Sequence, residues 1–81
     1  MTTLPFAGLR VLLVEDLMII AMEFEELLGT LGCVVFGPVG NLNAARRMAE
    51  EGIFDVAILD VNLDGEMVFP VAAALQARRI P

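Results

Sequence analysis

The chain has 81 residues, a 58% hydrophobic share and a mean hydropathy of +0.79, which allow one small domain over residues 1–81. Net charge is −6, from eleven acids against five bases; all five bases are arginines, and no cluster exceeds the pairs Arg46-Arg47 and Arg78-Arg79, so a nucleic-acid partner is not expected. The absence of His and Ser excludes Ser-His chemistry, a histidine phosphodonor and the usual zinc ligand sets.

The start "MTTLPFAGLR" lacks a charged segment followed by an apolar stretch, and no run approaches 18 apolar residues. A cytoplasmic protein with no membrane partner is therefore expected. Residues 10–14, "RVLLV", read as a strand buried on both faces and ending in Glu15-Asp16. A helix follows, with Asp16 near its start as the expected cap. Its core stripe is Ile20, Phe24, Leu27, Leu28 and Leu31, and Gly32 ends it. Met18, Ile19 and Met22 lie off that stripe and form a second apolar face.

Residues 33–36, "CVVF", read as a second strand closed by "GPVG", with the lone Cys33 as a small core residue. Asn41 should cap a second helix that runs to about Glu51 and stops at Gly52. The third strand is "IFDVAILD", residues 53–60, apolar on both faces. After the turn "VNLDG", Pro70 suits the first turn of a third helix that reaches Arg79. The final "RRIP" reads as the approach to a fourth strand. Strand–helix alternation at this spacing implies an α/β fold with parallel strands and right-handed crossovers. In such sheets the crevice lies beyond the carboxyl ends of the strands, so Glu15, Asp16 and Asp60 should converge there.

The octapeptide "LDVNLDGE" admits a second reading. Asp60, Asn62, Asp64 and Gly65 fit the opening of a calcium loop. That loop needs a helix before it and a bidentate acid at position twelve, whereas here a strand-like run precedes it and position twelve is Val71. Clustered carboxylates that lack a counter-cation call for a divalent metal or unusual protonation, and Mg²⁺ suits a site that also takes a phosphoryl group. A haloacid-dehalogenase-like phosphatase is disfavoured because Asn62 stands where its second acid is needed.

"VLLVED", the helix after it, the Val-rich strand followed by "GP", and "DVAILDVNLDG" together resemble the receiver domain of bacterial response regulators. That resemblance implies a flavodoxin-like α/β fold, here truncated to three strands in the order 2-1-3 and three helices. It implies Asp60 as phosphoacceptor, with Glu15, Asp16, Asp60 and the backbone carbonyl of Asn62 as ligands of Mg²⁺. A sensor histidine kinase or histidine phosphotransfer protein would be the donor, docking near the first helix around Met18, and the chain would be an acceptor rather than an enzyme. The resemblance departs at Asp64, where the family usually has proline, and in the absence of any lysine. The family's fourth and fifth strands are missing too, which predicts impaired phosphorylation and an unprotected third strand. A homodimer or domain-swapped assembly is therefore expected, and a non-catalytic interaction fragment is the alternative function.

Overall fold

The computed structural model describes residues 6–60, 62–63 and 66–81. The elements in chain order are β1 (Arg10–Val14), α1 (Met18–Thr30), β2 (Val34–Val39), α2 (Leu42–Glu51), β3 (Val56–Leu59), β4 (Asn62–Leu63), β5 (Glu66–Met67) and α3 (Phe69–Ala77). β1, β2 and β3 form a three-stranded parallel sheet in the order β2-β1-β3, and β4 and β5 make a separate antiparallel pair. The expected α/β architecture and strand order are present. None of the helices among the described residues is long and apolar enough to cross a membrane.

β1 is the centre of the sheet because it is apolar on both faces. Val11, Leu12, Leu13 and Val14 are all at most 1% exposed. Their alternation divides the core in two. Leu12 and Val14 join Ala57 and Leu59 against α2 and α3, whose Ala45, Ala49, Val71 and Leu75 are buried. The small alanines let the helix backbone come close to the sheet. α1 packs on the other face, over β1 and β2.

The ends of α2 follow from its caps. The Asn41 side chain accepts a hydrogen bond from the Ala44 N–H at 2.8 Å, and the helix stops at Gly52, as the sequence predicts. Elsewhere the expectations need correction. α1 buries Ala21 and Leu28, while Leu27 is 55% exposed and Ile20 is 38% exposed. The small Ala21, not the larger Ile20, meets the sheet, so the inward face is rotated from the predicted stripe. Asp16 does not cap α1, whose N-cap is Leu17 without a side-chain bond. Cys33 is half-buried and precedes β2, which continues through Gly37 and Pro38 to Val39.

That continuation requires an irregularity. The β1–β2 register shifts between Leu12 and Val14, opposite Gly37 and Pro38. Gly37 has φ +118°, and a Cβ there would lie 2.5 Å from the Leu13 carbonyl oxygen, so only glycine fits without displacement. β3 is shorter than predicted. Residues 53–55 precede it, and Phe54 instead turns its ring into the core and meets Phe36 edge-on at 5.3 Å. The turn expected at "VNLDG" contains β4, while Val61, Asp64 and Gly65 fall outside the described residues. α3 begins at Phe69, with Pro70 in its first turn, and ends at Ala77, two residues before the predicted Arg79.

At the amino end of the sheet, Arg10 and Asp55 clasp β1 to β3. The Arg10 Nη2 and Nε donate to Asp55 Oδ1 and Oδ2 at 2.9 and 3.1 Å, and the Arg10 N–H donates to Oδ2 at 2.7 Å. The Arg10 side-chain hydrogen bonds, before any other cause, hold the Asp55 carboxyl below its ordinary 3.8, at about 2. A carboxylate whose value is depressed on folding adds stability above its unfolded value, and that contribution is lost as pH falls through the folded one. We therefore expect denaturant midpoints of the wild type to drop between pH 4 and pH 2 more steeply than those of Asp55→Asn. Parallel pH profiles for the two proteins would show that this clasp contributes nothing.

Candidate metal centre at the carboxyl ends of β1 and β3

Val14 stands opposite Leu59 in the β1–β3 ladder, so the residues that follow each of them leave the sheet at the same level. Those residues are Glu15 and Asp16 after β1, and Asp60 after β3. Backbone bonds hold them there. The Asp60 N–H donates to the Val14 carbonyl at 2.8 Å, and the Glu15 N–H donates to the Val39 carbonyl of β2 at 3.0 Å. Glu15 is thus tied to one neighbouring strand and Asp60 to the other side of β1.

One carboxylate oxygen from each of Glu15, Asp16 and Asp60 lies within 4.8 Å of the others. None of the three residues is buried. Glu15 Oε1 also accepts a hydrogen bond from the Leu17 N–H at 3.1 Å, which satisfies an amide at the start of α1. Desolvation raises the Glu15 carboxyl above its ordinary value; the Leu17 N–H opposes that rise, and the Asp60 charge adds to it. Ionising Glu15 is thus opposed by its surroundings, and a cation beside it would relieve that.

The donor set fits a hard divalent ion. It is all oxygen, and opposite ligands of an octahedral Mg²⁺ stand about 4.2 Å apart, close to the spread observed. Asn62, expected to offer its backbone carbonyl, opens β4 two residues after Asp60, within about 7 Å along the chain. The calcium-loop alternative meets a different environment, because its twelfth position, Val71, is fully buried in α3.

The sequence brings out the three acids but not the groups that orient them. The Leu17 N–H and the Val39 carbonyl are backbone groups, without a side-chain signature. An acid two residues before a helix start is the one available cue for the first of them. Comparisons with known proteins add no assignment: no protein-family model, curated protein or solved structure matches the chain.

The carboxylate cluster generates a linkage prediction. Mg²⁺ at ten times its Kd should stabilise the wild type by about 1.4 kcal/mol, and should leave Asp16→Asn and Asp60→Asn unchanged. Denaturant titrations with Mg²⁺ or chelator measure this, and equal Mg²⁺ stabilisation of both variants and wild type would remove the metal centre.

Proposed function

We propose that this chain is a phosphoryl-accepting receiver of a two-component phosphorelay, with Asp60 as the acceptor. Glu15, Asp16, Asp60 and the backbone carbonyl of Asn62 would hold Mg²⁺. The observation that supports this reading is the convergence of three carboxylates beyond the carboxyl ends of two adjacent parallel strands. When bound, Mg²⁺ would neutralise charge on the transferring phosphoryl oxygens and on the acids around them.

Asp60 supplies the nucleophile. A carboxylate oxygen forms the new P–O bond while the P–N bond of a phosphohistidine breaks, on a sensor kinase or histidine phosphotransfer protein. The bonding pair stays on the imidazole nitrogen, which takes up a proton. The product is an acyl phosphate, so Asp60 is consumed stoichiometrically and the chain is not an enzyme. The tether from Asp60 N–H to Val14 limits how far the acceptor can move, which favours in-line approach. The chain contains no lysine to bind the phosphoryl oxygens, so the transfer should be slow.

The second reading, an interaction fragment that does not accept phosphate, is favoured by a separate observation. Met18, Ile19 and Met22 on α1 are 74, 75 and 58% exposed, an apolar face of the kind that partners cover. Incubation with acetyl phosphate and Mg²⁺, followed by peptide mapping, separates the two. We expect slow, Mg²⁺-dependent modification of Asp60 and none in Asp60→Asn. A chain that binds Mg²⁺ at this site yet stays unmodified would leave the interaction reading in its place.

A further inference from the structure

β2 reaches the acid cluster only through its irregularity. In the register that pairs Arg10 with Val34 and Leu12 with Phe36, Val14 would stand opposite Pro38. Proline has no N–H, so the ladder bond to the Leu13 carbonyl could not form there. One extra residue in β2 brings Val39 opposite Val14 instead. Val39 has the N–H that Pro38 lacks, and its own carbonyl accepts from the Glu15 N–H at 3.0 Å. The same shift puts Phe36 and Val39 on one face of the sheet, where Phe36 meets Phe54 and Val39 joins Val14 in the core.

Two backbone groups then fix Glu15. Its N–H is held by the Val39 carbonyl, and its Oε1 accepts from the Leu17 N–H at 3.1 Å. The chain beyond Val39 stays against the acids: a Cβ at Gly40 would lie 3.7 Å from the Asp16 Cα and 3.8 Å from the Glu15 carbonyl oxygen, ordinary van der Waals contact. The extra step itself depends on Gly37. Its φ is +118°, and a Cβ there would lie 2.5 Å from the Leu13 carbonyl oxygen and 3.0 Å from the Val39 nitrogen. Those are the two groups with which the ladder resumes, immediately before Glu15.

We propose that Gly37 is a positioning residue for the cation site. By admitting the extra residue in β2, it brings the Val39 carbonyl to the Glu15 N–H and sets the level at which the Glu15 carboxylate leaves the sheet. Without that step the acceptor would sit about 3.3 Å away along β2, and Glu15 would be held by Leu17 alone. The inference rests on the reading of Glu15, Asp16 and Asp60 as a divalent-cation site, and adds to it a residue that touches neither the ion nor a carboxylate. Backbone partners of this kind act on a metal by orienting its ligands.

Mg²⁺ titration and amide hydrogen exchange, both read by NMR on the whole chain, test this. Gly37→Ala should speed exchange of the Glu15 amide in chelator and weaken Mg²⁺ binding by about 10–100-fold. Gly52→Ala is the control. A Cβ there would run into the Phe54 ring and lie 2.8 Å from the Met48 carbonyl oxygen, beyond the amino end of β3 and so at the opposite end of the sheet. It should lose stability as well, yet keep the wild-type Mg²⁺ affinity and Glu15 exchange. Wild-type affinity in Gly37→Ala, or equal weakening in the two variants, would overturn the proposal. The wild type alone supplies a second measurement should Gly37→Ala not fold: Mg²⁺ at ten times its Kd should slow exchange of the Glu15 amide about tenfold, because a chain released from Val39 no longer presents Glu15 to the ion. An unchanged rate would overturn the proposal too. A wild type that binds no Mg²⁺ at all would remove the cation site and this role with it, whereas the other contrary results remove only the role of Gly37.

Discussion

The register of β1 against β3 is the constraint on which the rest depends. It is fixed at both ends. Arg10 and Asp55 clasp the amino ends through a bidentate ion pair and a backbone bond, and the Asp60 N–H reaches the Val14 carbonyl at the other. Between them, four consecutive apolar residues of each strand stand in unbroken register. A slip of one residue would turn Leu12 and Val14 to the wrong face. It would also move Asp60 about 3.3 Å along the strand and out of level with Glu15 and Asp16. Core and candidate site are therefore specified by the same pairing.

The cost of the site is electrostatic. Three carboxylates brought together at a sheet end repel one another, and burial of Glu15, slight as it is, resists ionisation further. Backbone bonds to the Val14 carbonyl of β1 and the Val39 carbonyl of β2 hold the chain in this arrangement regardless. Stability invested in the strands is thus used to maintain an unfavourable charge cluster. That pattern is compatible with a cation site.

Much of this was readable from the residues. Long aliphatic runs ending in acids gave β1, the end of β3 and the convergence of Glu15, Asp16 and Asp60, because parallel strands put their carboxyl ends on one side. Asn41 and Gly52 marked α2 because caps act locally. The inward face of α1 differs from the one the periodicity predicts, which weights Ile20 and Leu27, because close packing on the sheet selects the smaller Ala21. The length of β2 was hidden because Gly37 and Pro38 read as a turn, and only the neighbouring strand makes a bulge of them. The Arg10–Asp55 clasp joins residues 45 apart, and neither has a local signature. Backbone donors such as the Leu17 N–H have no side-chain code at all.

The central claim is that Glu15, Asp16 and Asp60 act as one divalent-cation site. Paramagnetic broadening by substoichiometric Mn²⁺, read on backbone amide signals, addresses it most directly, because the effect falls steeply with distance from the ion. The account predicts that the amides of Glu15, Asp16, Leu17 and Asp60 broaden first, that Mg²⁺ reverses the effect, and that Asp60→Asn removes it. Broadening spread evenly over the acidic surface, including Glu23, Glu25 and Glu50, or centred away from the ends of β1 and β3, would contradict it.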